Sequence, residues 1–275
     1  MEIRVAHSPD SDDAFMFYAL AAGKLETGAL HFRHRLEDIE TLNRKALKGE
    51  YEVTAVSIHA YAYIAEKYRL LASGASMGDR YGPIVVARRR FDPGELRGKA
   101  IAVPGTLTTA FLVLKLFQSE FTPVVMPFDK IMEAVGRGEA EAGLLIHEGQ
   151  LTYSLLGLHK ILDLGEWWHA LTALPLPLGG NAVRRDLGDR LIRDISALIR
   201  ASISYALEHR EEALRHALQY ARDLDHEQAD RFVGMYVNER TLDYGSDGRQ
   251  AVSLLLAKAY ERRLIPAPVQ PDFID

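Results

Sequence analysis

Short apolar runs alternate with stretches of helical spacing through the first two-thirds of the chain. The runs Ile3–His7, Leu30–Leu36, Val53–Ile58, Leu70–Ser73, Ile84–Ala87, Ala100–Val103, Val124–Phe128, Gly143–His147 and Ile161–Leu164 predict strands. Helical stretches between successive strands predict parallel sheets with helices on their faces. The period changes in the last third. From Leu187 to Leu264 the pattern predicts four helices, with Leu191, Ile195, Leu198, Ile199, Ile203 and Leu207 on one stripe. Gly245 and Gly248 punctuate the last pair.

The strand–helix region contains an internal repeat. Val5-Ala6 followed by Ala14-Phe15 can be laid on Ile101-Ala102 followed by Ala110-Phe111, with the same offset of 96 for both pairs. Gly49-Glu50-Tyr51-Glu52 opens an apolar run to Ser57, and Gly138-Glu139-Ala140-Glu141 opens one to His147. Each copy reads strand, polar turn, helix, strand, helix, strand. The expected organisation is two α/β lobes, 1–87 plus 178–275 and 88–177. Crossing segments are expected near Ile84–Arg88 and Leu178–Arg184, the second made irregular by Pro175 and Pro177. The late helices then return to the first lobe. Carboxyl ends of strands in two facing lobes line one cleft, a common place for a small-molecule site.

Composition narrows the partners. The chain has 275 residues, 48% hydrophobic and 26% charged, with a net charge of −5. That is ordinary for a globular protein and lacks the basic footprint of a nucleic-acid binder. A small anionic ligand needs only a few local donors and is compatible with it. The absence of cysteine rules out disulfides, thiolate metal sites and cysteine nucleophiles. Met1-Glu2-Ile3-Arg4-Val5 lacks the head of a signal peptide, and no apolar run approaches a membrane span. The expectation is a cytoplasmic protein without membrane insertion, and a homodimer stays open.

Candidate chemistry falls at strand ends. Pro104-Gly105-Thr106-Leu107-Thr108-Thr109-Ala110 follows a strand and opens a helix, so its N–H groups and the two hydroxyls of Thr108 and Thr109 form a candidate anion site. Plain N-capping is the competing reading. The equivalent first-lobe turn, Ser8-Pro9-Asp10-Ser11-Asp12-Asp13, reads as capping. Its acids do not follow a calcium-loop spacing. Asn43 lies inside or beside the apolar stripe of the helix 38–47, where a buried amide needs a partner, backbone or ligand. Ser57 ends one central strand without a Gly-x-Ser-x-Gly elbow around it. His147, followed by Glu148, ends the matching run of the second lobe, where an imidazole serves proton transfer or a structural hydrogen bond. The other histidines form no metal set, and no phosphate-cradling glycine motif follows a strand.

These residues, taken together, resemble the 1,4-dihydroxy-6-naphthoate synthases of the futalosine route to menaquinone. The matching stretches are His7-Ser8-Pro9 with Asp13 through Leu20, Leu36 through Asn43, Gly82 through Arg88, Val103-Pro104-Gly105 with Thr108-Thr109-Ala110, Leu145-Ile146-His147-Glu148, and Leu174 through Gly179. The resemblance implies a two-lobed periplasmic-binding-protein-like fold of the second type, and a lyase that needs no cofactor. It implies the cyclic form of dehypoxanthine futalosine as substrate and 1,4-dihydroxy-6-naphthoate as product. Carried residue by residue, it implies His147 as the base and Asn43, Ala55, Val56, Ser57, Thr108, Thr109 and Ala110 as substrate contacts. Some relatives carry Asn-Asp-Thr where this chain has Asp12-Asp13-Ala14, so no contact is carried over to that turn. Two other readings stay open: a chorismate dehydratase of the same pathway, against which His147-Glu148 argues, and a cytoplasmic small-anion-binding module.

Overall fold

The computed structural model describes residues 1–220 and 225–274; Asp275, which closes the expected first lobe, lies outside the described residues. The strands form two sheets. The first orders Phe273–Ile274, Tyr68–Leu71, Leu176–Arg184, Val53–Ser57, Glu2–His7 and His31–Leu36, and Ser76–Gly78 also pairs with Leu176–Arg184. The second orders His159–Asp163, Ile84–Ala87, Ala142–Leu145, Ala100–Val103 and Thr122–Val125.

The repeat is visible in the pairing. Glu2–His7 lies parallel between His31–Leu36 and Val53–Ser57. Ala100–Val103 lies parallel between Thr122–Val125 and Ala142–Leu145 in the same way. Each sheet then gains an antiparallel neighbour: Leu176–Arg184 beside Val53–Ser57, and Ile84–Ala87 beside Ala142–Leu145. The sheets are therefore mixed, where helical connections alone predict parallel ones. The two antiparallel strands are those the chain enters on crossing from the other sheet, so they do not follow a strand–helix–strand repeat within one sheet. The crossings fall at 79–83 and 164–175, and Ile84–Ala87 pairs within the second sheet.

Leu176–Arg184 reads poorly as a strand because of its prolines and its glycine pair. Pro177 sits where the register against Ser76–Gly78 shifts, the place in a sheet where a residue without an N–H is tolerated. Gly180 lies under the Tyr244 hydroxyl, which an added Cβ would meet at 2.0 Å.

The late residues form five helices among the described residues, Asp189–Glu208, Arg210–Ala217, His226–Tyr236, Glu239–Leu242 and Gly245–Glu261. The long one buries Ile192, Ile195, Ile199 and Ile203 against Ile3, Val5, Phe15 and Val53 of the first lobe. Each such side chain contributes about 1.5–3 kcal/mol on burial. A second apolar cluster continues between the sheets, joining Tyr61, Ile64 and Leu70 to Val103, Leu112 and Leu114. Trp168 is fully buried in it and donates to the Pro175 carbonyl at 3.0 Å, while Trp167 packs edge-on to Phe117. Trp168 is a core residue, and Trp167 packs at the core's edge. No helix among the described residues is long and apolar enough to cross a membrane.

Candidate active site between the lobes

The carboxyl ends of the central strands meet across a cavity of about 800 Å³, counting the part open to solvent. Ala55, Val56 and Ser57 line it from the first lobe, and Thr108, Thr109 and Ala110 from the second. The structure thus brings together six of the residues singled out in the sequence, from segments some 50 positions apart.

Asn43 is fully buried in the helix Ile39–Ala46. Its Nδ2 donates to Ser57 Oγ at 3.0 Å, and its Oδ1 accepts the Ser57 N–H at 2.9 Å. Nδ2 also lies 3.4 Å from the Leu107 carbonyl of the second lobe. The amide is thus held by protein groups and orients Ser57. Asn43 is outside the set of cavity-lining residues.

Thr108 is the N-cap of the helix Thr109–Phe117. Its hydroxyl accepts from the Phe111 N–H at 3.2 Å and donates to the Gly105 carbonyl at 3.1 Å. Thr109 accepts from the His59 N–H at 3.2 Å and donates to the Leu178 carbonyl. Both hydroxyls are engaged by the fold: Thr108 caps its helix, and Thr109 ties its turn to two first-lobe segments.

His147 lies two residues beyond the strand Ala142–Leu145, just before the short helix Gly149–Thr152. It is buried, with its ring edge-on to Phe128 at 4.9 Å between centroids. Ile146 lines the cavity; His147 is the next residue along the chain and is not part of that lining. Glu148, also buried, accepts from the Ser11 hydroxyl of the first lobe at 3.2 Å.

The sequence reading missed the acidic wall. Asp10, Asp12 and Asp13 line the cavity, and Glu148 faces them from the other lobe. Asp10 occupies the N-cap position of the helix Ser11–Met16 without making a side-chain cap bond, so capping does not account for the turn. Burial pushes the Asp13 carboxyl up to about 7, against the opposing pull of the Ser8 N–H at 2.7 Å. Burial and the charge of Asp10 likewise push Glu148 up to about 7. Asp12 is raised well above its usual range by burial and by Asp13, Asp10 and Glu148. Near neutral pH this wall holds protons. The available signal was three aspartates in four positions at a strand end, each of which reads as an ordinary helix-start residue when taken alone.

Phe232 and Tyr236 complete the cavity from the helix His226–Tyr236, and the Tyr236 hydroxyl donates to Gln150 Oε1 of the second lobe at 3.0 Å. Among the described residues, no lysine, arginine or histidine lines the cavity. Nor do they contain a group of three or more His, Asp or Glu placed to hold a metal ion. Neutral donors, and carboxyls of which Asp12 and Asp13 have a raised proton affinity, are the polar groups offered to a ligand.

Comparison with known proteins places this architecture. A solved Archaeoglobus fulgidus protein superimposes with a TM-score of 0.93 at 52% identity, covering 96% of this chain and 98% of its own. The alkanesulfonate-binding protein of Xanthomonas axonopodis pv. citri superimposes at 0.72 with 12% identity, over 98% and 96% of the two chains. The fold is thus the two-lobed periplasmic-binding-protein-like one. In sequence, the chain is 43% identical to the 1,4-dihydroxy-6-naphthoate synthase of Thermus thermophilus, over 99% of each chain. It is 38% identical to that of Streptomyces coelicolor, over 96% of this chain and 95% of that one. A family described as menaquinone biosynthesis matches residues 3–261. With a family match over nearly the whole chain and full-length relatives named as synthases, the chain is an enzyme of the menaquinone biosynthesis family.

Proposed function

We propose that the chain is a 1,4-dihydroxy-6-naphthoate synthase, a carbon–carbon lyase acting in the cytoplasm on cyclic dehypoxanthine futalosine, a small anionic substrate. The observation that carries this reading is similarity over nearly the whole chain to two synthases of that name. In this reading the lobes are 1–87 plus 178–275 and 88–177, with boundaries that shift to 79–83 and 164–175 if sheet membership defines them. The reaction removes a carbon-bound proton and breaks the spiro ring system. Aromatisation of the naphthoate supplies driving force, so the enzyme's task is to place the substrate and move protons.

His147 takes the carbon-bound proton. A neutral imidazole serves as base near pH 7, and a positioned base typically contributes about 10²–10⁴-fold. Ala55, Val56 and Ser57 on one side, and Thr108, Thr109 and Ala110 on the other, contact the substrate, with Asn43 fixing Ser57. A cavity lined without basic side chains accommodates an anion because burial raises the proton affinity of Asp12 and Asp13 and so lowers the charge of the acidic wall, and because the helix starting at Thr109 presents its positive end.

The test is incubation of the purified protein with the cyclic substrate, with chromatographic detection of the naphthoate, and with chorismate in a parallel tube. Appearance of the naphthoate only with the cyclic substrate is expected. Dehydration of chorismate instead would replace this reading with the sister enzyme of the pathway.

A further inference from the structure

One carboxylate joins the two halves of the cleft. The helix Ile39–Ala46 packs on the strands Val53–Ser57 and Glu2–His7 of the first lobe. The turn 104–108 follows a strand of the second. Between them, Glu40 Oε2 accepts the Leu107 N–H at 3.0 Å, and the Thr106 N–H also bonds this carboxylate. The Glu40 side chain is only 10% exposed. Arg44, one turn along the helix, approaches the other oxygen at 2.7 Å. A buried carboxylate is costly unless it is hydrogen-bonded, and the N–H groups of the turn meet that need. The fit depends on Gly105, where an added Cβ would lie 2.2 Å from Glu40 Oε2 and 2.3 Å from its carboxyl carbon. Three residues further along the helix, Asn43 holds Ser57 and reaches the Leu107 carbonyl. A single helix therefore touches Ser57 of one wall and the residues immediately before Thr108 of the other.

We propose that Glu40 is a positioning residue, whose carboxylate occupies the N–H groups of the 105–107 turn and thereby sets Thr108, Thr109 and Ala110 at their working distance from Ala55, Val56 and Ser57. The anion held at this turn is then the protein's own, and the substrate meets a cleft whose two walls are already in register. The catalytic consequence rests on the activity proposed above; the contact itself does not.

A double-mutant cycle tests it with Glu40→Ala, Gly105→Ala and the pair, each measured for kcat, KM and stability to denaturant. Glu40→Ala is expected to raise KM about tenfold with kcat within about threefold, the scale of one buried hydrogen bond to a charged group. Gly105→Ala is expected to raise KM by a similar factor in the native background. On the Glu40→Ala background it should add clearly less than in the native one, because the group it strikes is gone and only the strain of the Gly105 φ of 159° remains. Equal cost of Gly105→Ala in both backgrounds, or an unchanged KM in Glu40→Ala, overturns the proposal. If Gly105→Ala folds only when Glu40 is alanine, the coupling is established in stronger form; if it folds in neither, the proposal falls. The stability arm needs no substrate. A wild-type protein that leaves the cyclic substrate untouched would refute the activity while the cycle still decides the contact.

Discussion

The two strand-to-helix turns that face each other across the cleft share a topology and differ in charge. Ser8–Asp13 follows the middle one of the three parallel strands 2–7, 31–36 and 53–57, and Pro104–Thr109 follows the middle one of the three parallel strands 100–103, 122–125 and 142–145. The second turn has no acid of its own and takes in Glu40 from the opposite lobe. The first turn supplies three aspartates and faces a fourth acid, Glu148. Such a backbone favours negative charge at both places, because helix N-termini present N–H groups and a positive dipole end. One acid at such a turn forms a bonded contact. Several acids buried together repel one another, and the group answers by keeping protons. The same fold element thus yields a charged tie in one lobe and a proton-holding wall in the other.

The largest expected effect breaks the symmetry of the two strand ends. Ser57 and His147 occupy matching places, yet only an imidazole is suited to accept a proton near neutral pH. His147→Asn is expected to lower kcat by about 10²–10⁴-fold while KM changes little. Steady-state kinetics on a variant shown to fold by circular dichroism measures this. A near-native kcat would remove His147 as the base and make Glu148 the next group to test.

A smaller effect comes from the uncharged turn. Thr109→Val removes a buried hydroxyl that accepts from His59 and donates to Leu178. It is expected to lower unfolding free energy by about 1–3 kcal/mol. Because Thr109 bonds the His59 backbone N–H and the Leu178 carbonyl, neither of which titrates, the loss should be the same at pH 6 and pH 8. A loss that varies with pH would tie the turn to a titrating neighbour, the His59 ring on the Thr108 carbonyl or the acidic wall.

The smallest effect sharpens the contrast through pH. The folded-state values of Asp13 and Glu148 are raised to about 7. The native protein therefore binds more protons than the unfolded chain between the ordinary carboxylate range and about pH 7, and their contribution to stability is lost as pH rises through that window. His7 and His34 act in the opposite sense. Burial lowers them to about 3 and 4, so their contribution is present above their ordinary value of 6.5 and is lost as pH falls. The two slopes offset each other below about pH 6.5, and above it the carboxyls alone remain. Asp13→Asn keeps an oxygen for the Ser8 N–H and is expected to raise Tm by about 3 °C at pH 8 and by much less at pH 5. Thermal unfolding scans across pH 5–8.5 test it. A native Tm that does not fall from pH 6.5 to pH 8 would contradict the raised values.

The sequence by itself determined the elements and much of the cleft's membership. Burial on a sheet or a helix face imposes a period that is read locally, so Ile84–Ala87 and Ala100–Val103 are found at their observed bounds and the stripe of the long helix is recognised from Ile195, Ile199 and Ile203. The internal repeat located Ser57, His147 and the 104–110 turn at strand ends, which in this architecture is where ligands bind. Tertiary structure alone decided what depends on distant partners. Leu176–Arg184 becomes a strand only because Val53–Ser57, Tyr68–Leu71 and Ser76–Gly78 stand ready to pair with it. Glu40 has nothing in its neighbourhood to separate it from a solvated helix residue until Gly105 and Leu107 close over it from 67 positions away. The proton-holding character of Asp12, Asp13 and Glu148 is likewise absent from any local pattern. A pKa is set by the charges and the dielectric around a group in space, and those are assembled only when the two lobes meet.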